Sequence, residues 1–337
     1  MSNDALKTLF HPFETGDLPL PETGARILFL GAEAGFLVPE GFVAELSCVQ
    51  GFRPAFLALQ SSGLKVAPQI EGDDFDSALI LCNRHRGENE NRIADALEKV
   101  RPGGTILVAG GKEEGIASLR KRVAGLTPLD GNLAKYHGGV FWFRRDGDIE
   151  PLLDALRSGN GPVRVEDRFV TAPGMFSYDR VDKGSRLLAE TVPSDFSGHV
   201  ADFCAGWGFL SAELLRRAPG IKAIDLHEAD FASLEAARIN LSTAAQAAFF
   251  WRDLLSEPVT EKYAAIIMNP PFHNRRNADP LIGQDMVKTA AGALRRGGQL
   301  WMVANVHLPY ETTLNAQFGS HREHARENGF KVLSASR

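Results

Sequence analysis

Cysteine is scarce in this chain. Cys48, Cys82 and Cys204 lie far apart in 337 residues, with no CxxC pair and no His/Cys spacing of a metal site. A disulfide framework and a zinc centre are therefore not expected, and a reduced compartment is. No apolar run approaches the ~18 residues of a membrane-spanning helix. The opening residues also lack the charged-then-apolar pattern of a targeting signal. Positive charge is not in excess: 37 Lys and Arg against 42 Asp and Glu leave a net charge of −5. Any polyanion would have to meet a local patch rather than the whole surface. No GxGxxG turn follows a strand, which removes the dinucleotide fingerprint and with it a Rossmann dehydrogenase. What remains is 44% hydrophobic and 23% charged, a soluble composition long enough for two domains. A cytoplasmic protein without metal is expected.

Apolar strand-like runs alternate with helical patterns throughout, the signature of a parallel sheet flanked by helices. In the first half the runs are Arg26–Leu30, Ser77–Cys82 and Thr105–Ala109; in the second they are His199–Phe203, Ala264–Met268 and Gln299–Ala304. The polar, glycine-containing stretch Arg157–Pro162 reads as a linker, so domains are expected over 1–158 and 159–337. The halves also match each other in order. Ile27–Leu37 lines up with Val200–Leu210, Phe75–Cys82 with the strand ending at Met268, and Arg101–Ala109 with Arg295–Ala304. Shared turn chemistry explains any one such pair; three in one order point to a duplicated domain. Where the second half has Asp202, Gly206 and Asn269-Pro270-Pro271-Phe272, the first has Phe29, Glu33 and Cys82-Asn83-Arg84-His85. A Phe cannot replace a carboxylate, so the first half is expected to keep the scaffold without the site. Two similar domains in one chain can stand in for a homodimer, and a monomer is expected.

The chemistry-bearing residues sit where strands end, the edge at which open α/β sheets bind ligands. Asp202-Phe-Cys-Ala-Gly-Trp-Gly208 ends a strand and opens the helical run Phe209–Arg217, which brings backbone N–H groups close to a ligand. An acid just before that turn suits a cationic or zwitterionic ligand, and S-adenosylmethionine carries both an ammonium and a sulfonium. After the next strand, Ile221–Asp225, both Asp225 and Glu228 are candidates for the ribose hydroxyls, with Glu228 preferred. Asp230 is a candidate N-cap for a helix reaching Asn240. Asp253, after Ala248–Trp251, is placed to accept from an adenine amino group. Asn269, Pro270 and Phe272 follow the fourth of these strand runs. The Asn amide and the Pro270 carbonyl can accept both hydrogens of a planar amine, the paired prolines stiffen the loop, and Phe272 can cover the ring. That equipment suits methylation of an sp2 nitrogen. The fold expected is α/β, with two tandem Rossmann-like class I methyltransferase domains, the N-terminal one degenerate.

Three stretches are more specific: Pro173–Leu188, containing Met175-Phe-Ser and Asp182-Lys-Gly-Ser185; Asn269–His273; and Val303–Tyr310. Together the chain resembles the bacterial small-subunit (16S) rRNA guanine-N2 methyltransferases of the RsmC type, strongly over its last half and in layout over its first. The resemblance implies that Phe176, Asp182, Gly184 and Ser185 wall the methionine side of the cofactor pocket. It also implies that Asp202, Gly206, Gly208, Glu228 and Asp253 bind S-adenosylmethionine beside Asn269, and that Asn269 and Pro270 grip the target amine. In two places the chain departs from the family turn, which usually has Gly at Cys204 and a small residue at Trp207. If position 204 needs a positive φ, its side chain costs about 1 kcal/mol. For rRNA contact the sequence offers Arg275 and Arg276 beside the catalytic loop, with Arg120–Arg122 and Arg84–Arg86 on weaker grounds. The rival readings are a protein-glutamine or other amide methyltransferase, which the same Asn-Pro-Pro geometry would serve, and a non-catalytic RNA-binding or ribosome-assembly protein.

Overall fold

Short runs such as Ile27-Leu-Phe-Leu30 and Ala265-Ile-Ile-Met268 are buried on both faces, which only a sheet covered by helices on each side allows. The computed structural model describes residues 4–271, 273–274, 277–278 and 280–337. It divides into two compact units, Met1–Pro162 and Val163–Arg337. The first contains α1 (Asp4–Thr15), β1 (Arg26–Leu30), β2 (Glu45–Val49), α2 (Arg53–Ser61), β3 (Val66–Ala67), β4 (Phe75–Leu81), α3 (Arg86–Lys99), β5 (Val100–Gly111), α4 (Ile116–Ala124), β6 (Gly131–Lys135), β7 (Gly138–Arg144) and α5 (Glu150–Arg157). The second opens with β8 (Val163–Val165), β9 (Phe169–Thr171), α6 (Lys183–Thr191), β10 (Ser197–Phe203), α7 (Phe209–Arg217), β11 (Gly220–Glu228), α8 (Phe231–Asn240), β12 (Ala247–Trp251) and β13 (Tyr263–Met268). It closes with β14 (His273–Asn274), β15 (Asn277–Ala278), α9 (Pro280–Ala293), β16 (Leu294–Asn305), α10 (Glu311–Phe318), β17 (Arg322–Glu327) and β18 (Phe330–Ser336).

The units share one topology. Their seven-stranded sheets run β3-β2-β1-β4-β5-β7-β6 and β12-β11-β10-β13-β16-β18-β17, parallel until a final antiparallel hairpin. Even an irregularity recurs: the register slips between Phe75 and Ser77 in one sheet and between Tyr263 and Ala265 in the other. Both units are thus Rossmann-like α/β sheets. The closing hairpins β6–β7 and β17–β18, and the small hairpin β8–β9, were not legible in the apolar pattern. Several of these strands show short or mixed burial that gives little period-2 signal.

Alternate residues along each central strand feed a core on each face. In β1, Leu28 and Leu30 join one cluster while Ile27 and Phe29 join the other; in β10, Val200 joins one while Ala201 and Phe203 join the other. Each fully buried Leu, Ile or Phe contributes roughly 1.5–3 kcal/mol, so both sheets are held rigidly enough to fix the loops at their ends. A polar network is sealed into the second unit. Tyr263 Oη donates to Asp225 Oδ2 (2.9 Å) and lies 3.0 Å from His227 Nε2. Burial, with Arg252 adding to it, pulls the His227 pKa down to about 3, so the ring is neutral. Of the two candidate acids after β10, Asp225 is therefore a structural one. Among the described residues no helix is long and apolar enough to cross a membrane, and no cluster of three or more His, Cys, Asp or Glu is set to hold a metal ion.

Candidate active site

The order of the second sheet reverses at β10, which has β11 on one side and β13 on the other. The crevice beyond the carboxyl ends of such strands is where open α/β sheets take ligands. The structure brings Asp202, the 204–208 turn, Glu228, Asp253 and Asn269 to that edge, on the ends of β10 to β13 or just beyond them.

The turn is left-handed at three points: Cys204 (φ +62°), Gly206 (φ +54°) and Gly208 (φ +88°). Cys204 therefore does occupy a backbone region that costs a side chain about 1 kcal/mol. Its Sγ lies 3.3 Å from Met286 Sδ, and burial raises its pKa well above the ordinary thiol range. The group is a packing element, not a nucleophile. A Cβ on Gly208 would come within 2.9 Å of Leu241 Cδ1 and 3.2 Å of Ala237 Cβ, so glycine lets the turn close on α8. Nothing lies within 4 Å of where a Gly206 Cβ would be, and the turn is open to the cleft there. Trp207 is 4% exposed and packs on Phe169 and Phe209, with Nε1 donating to the Phe176 carbonyl at 3.0 Å. Asn240 holds the turn from behind: its Nδ2 donates to the Trp207 carbonyl (2.9 Å), and its amide bonds both backbone groups of Val170. Nothing in the sequence marked Asn240 for this.

Asp202 is fully buried. Its Oδ2 accepts from Ser211 N (3.1 Å) and Ser211 Oγ (2.7 Å), while Oδ1 has no protein partner. Burial, reinforced by the nearby Glu228 charge and opposed by the Ser211 bonds, lifts its pKa to about 7. Glu228 is half-buried. Its Oε2 accepts from Gly206 N (2.7 Å), and its Oε1 accepts from Ala229 N and Asp230 N (each 2.8 Å). Burial raises Glu228 to about 7 as well, against the three amides that favour its charge. Glu228 thus braces the turn at Gly206 and keeps spare acceptor capacity, since a carboxylate takes about four bonds. Asp230 caps α8 through Ser233 N. Asp253 is bound into its own loop, accepting from Leu255 N (3.0 Å) and Ser256 Oγ (2.5 Å).

Asn269 is held by residues far behind it in sequence. Its Nδ2 donates to Ser185 Oγ at 2.8 Å and to Asp182 Oδ2 at 3.1 Å. A carboxylate can only accept, so the orientation of the amide is fixed. Both N–H groups are used, leaving Oδ1 as the acceptor for a ligand. Asp182 is itself the N-cap of α6 and accepts from Ser185 N at 2.8 Å. Gly184 is needed because a Cβ would sit 2.8 Å from the Phe330 ring. Pro270 is buried and Pro271 exposed; Phe176 is 58% exposed beside the turn. Phe272, Arg275 and Arg276 lie outside the described residues.

The family model for the methyltransferase small domain matches residues 166–334, all within the second unit. A ribosomal RNA small subunit methyltransferase C from Sodalis glossinidius is 31% identical over 277 residues, covering 80% of this chain and 76% of the relative. The protein of that name from Escherichia coli O81 is 31% identical over 272 residues, covering 80% and 78%. The chain belongs to the ribosomal RNA small subunit methyltransferase C family. Among solved structures, the T. thermophilus 16S rRNA N2 G1207 methyltransferase (RsmC), solved with AdoMet and guanosine, superposes with a TM-score of 0.78. It is 24% identical over all of this chain and 92% of its own, which shows a shared fold.

In this ribosomal RNA small subunit methyltransferase C family member, the first unit has lost each element of the cleft. Phe29, at the place of Asp202, is fully buried against Phe10 and Phe36. No helix follows β1 before β2, so the turn has no helix N-terminus to offer. The register corrects the comparison of the two strand-end loops. Ser77 pairs with Thr105 as Ala265 pairs with Gln299, which puts Leu81, and not Cys82, at the position of Asn269. Leu81 is 4% exposed in the core. Asn83, two residues on, is spent on α3: its Oδ1 accepts from His85 N, and its backbone is bonded by Asn89.

Proposed function

We propose that the second unit transfers a methyl group from S-adenosylmethionine to the exocyclic N2 of a guanine in small-subunit rRNA, the substrate named for its relatives. One observation carries the reading: Asp182 and Ser185 consume both amide hydrogens of Asn269 and leave its Oδ1 free to accept. The residues also fit the cofactor. The buried Asp202 Oδ1 has no partner of its own, and an unpaired buried carboxylate oxygen is costly until a cationic donor reaches it.

When bound, S-adenosylmethionine supplies an activated methyl on a positively charged sulfur. Asp202 takes the ammonium end, Gly206 and Gly208 admit the cofactor against the turn, Glu228 accepts from the ribose, and Asp253 accepts from the adenine. Phe176, Gly184 and Ser185 wall the methionine side. Asn269 Oδ1 and the Pro270 carbonyl accept the two N–H bonds of the guanine amine, which holds the nitrogen in line with the methyl; Phe272 covers the flipped base. Positioning of this kind is worth up to about 7–11 kcal/mol, and the accepting oxygens stabilise positive charge growing on nitrogen. No tuned general base is required, because the methylated amine is acidic and releases its proton to water. Arg275 and Arg276 meet flanking phosphates, the first domain serves as scaffold, and the enzyme acts as a metal-free cytoplasmic monomer.

The test is transfer of labelled methyl to small subunits isolated from cells lacking this gene, followed by nucleoside mass spectrometry. N2-methylguanosine that is absent with Asn269→Ala supports the reading. Label recovered only in protein sinks it and favours an amide substrate.

A further inference from the structure

The stretch Val303–Tyr310 leaves the sheet beside the loop that carries Asn269. β16 lies next to β13 with Met302 paired to Met268, so β16 continues beyond the end of β13, to Asn305. Alternate residues of a strand share a face. Ala265 and Ile267 of β13, with Trp301 and Val303 of β16, enter one core together with Leu188 and Ala189 of α6. Asn269 and Asn305 continue those two rows, so both stand on the α6 side of the sheet. Contacts agree with this. Asn269 bonds Asp182 and Ser185 at the start of α6, and Phe330, the partner of Asn305 across the sheet, has its ring against Gly184.

The two asparagines are wired in opposite senses. Asn269 spends its Nδ2 and keeps Oδ1 for a ligand. Asn305 spends its Oδ1, which accepts from His307 N at 3.1 Å. A backbone N–H can only donate, so this amide is also fixed in orientation. Its Nδ2 has no partner among the described residues, and the residue is half-buried, so its N–H donors stay open to a ligand. The loop behind it is stiff. Lys331 is 2% exposed, donates from Nζ to the Leu308 carbonyl at 2.9 Å and pairs with Glu311, and Tyr310 is fully buried. Neighbouring strands stand about 4.8 Å apart. A fixed donor and a fixed acceptor on adjacent strand ends therefore suit a flat ligand with a carbonyl and an amine along one edge. Of the two purines of RNA, guanine alone carries both, since adenine has an amine and no carbonyl.

We propose that Asn305 sets the base specificity of the methylation site: its Nδ2 donates to guanine O6 while Asn269 and Pro270 hold N2. The proposal rests on the rRNA guanine reading of the second unit. It gives the site a means of refusing adenine, whose 6-amine would meet Nδ2 donor to donor and leave both unpaired.

The test uses the full-length protein and small subunits reconstituted on rRNA ligated to carry guanine or 2,6-diaminopurine at the methylated position. The diaminopurine keeps the 2-amine and has a second amine in place of O6. Asn305→Asp keeps the oxygen that accepts from His307 N but exchanges the donor for an acceptor, and Asn305→Ala removes both. By kcat/KM, wild type should prefer guanine about 10–100-fold. Asn305→Asp should lose about that factor on guanine and reverse the preference, and Asn305→Ala should abolish it. Calorimetry should give both variants the wild-type affinity for S-adenosylmethionine. Should Asn305→Asp melt early, Asn305→Ala decides by the same ratio. A folded variant that still prefers guanine as wild type does overturns the proposal. So does weakened cofactor binding in a variant that melts normally, which would give Asn305 to the cofactor. A wild type that labels protein and not rRNA overturns the rRNA reading itself, a result distinct from an rRNA methyltransferase whose base preference ignores residue 305.

Discussion

Replacing Asp202 by Asn should separate the electrostatic cost of the cleft from its use. In the folded protein the Asp202 pKa is lifted from 3.8 to about 7 by burial. The folded state therefore holds a proton that the unfolded chain releases near pH 4. Between those values the native state binds more protons, so its stability falls as pH rises; below pH 4 the penalty is absent, and above pH 7 it is fully present. At about 1.36 kcal/mol per pH unit, the part of this loss lying between pH 5 and 8 is on the order of 2–3 kcal/mol. Asn keeps an acceptor for Ser211 but cannot ionise. It leaves a neutral amide unpaired where Oδ1 was, a cost of about 1–3 kcal/mol that does not vary with pH. The difference in unfolding free energy, variant minus wild type, should therefore shift by about 2–3 kcal/mol in favour of Asp202→Asn from pH 5 to pH 8. Differential scanning calorimetry of the cofactor-free proteins would show this as roughly 5–10 °C in relative Tm. The same variant should bind S-adenosylmethionine about 10–100-fold more weakly at pH 8, having lost one charge-assisted bond. Parallel pH profiles for the two proteins would refute the burial argument, and unchanged cofactor affinity would refute the role of Oδ1.

Asp182→Asn keeps a good N-cap for α6 but exchanges a pure acceptor for an amide that no longer fixes Asn269; kcat should fall about tenfold or more while Tm changes little, whereas Asp182→Ala should also cost about 1 kcal/mol in melting. Gly184→Ala forces a methyl to 2.8 Å from the Phe330 ring, and chemical denaturation should show a loss of about 1–3 kcal/mol. Cys204→Gly relieves a left-handed side chain at φ +62° but gives up its contact with Met286, so urea unfolding should change by less than about 1 kcal/mol; a large loss would mean that the contact outweighs the strain. Glu228→Gln retains the shape but weakens the brace on Gly206 N, and cofactor affinity should drop about tenfold or more by calorimetry while KM for RNA stays the same.

Much of this was readable from local pattern. Runs such as Ile27-Leu-Phe-Leu30, the turn from Asp202 to Gly208 followed by a helix from Phe209 to Arg217, and the Asp230 cap are set by a few adjacent residues, and the structure shows each of them. The match between halves was equally legible, because duplicated strands keep their order and their turn residues. The one-residue shift that puts Leu81 rather than Cys82 opposite Asn269 was not: sequence alignment fixes a loop only to within a residue or two, while pairing across the sheet fixes it to the residue.

By itself the sequence determined which residue types stand at successive strand ends and that Asp202 has no carboxylate counterpart in the first half, where Phe29 stands. The tertiary structure decided how they are wired. Asn269 meets Asp182, 87 residues earlier, and Asn240 meets Val170, 70 residues earlier. Turn and capping chemistry act over three or four residues and so leave a local mark. A hydrogen bond between distant segments exists only once packing has closed the chain between them, and no spacing in the sequence records it.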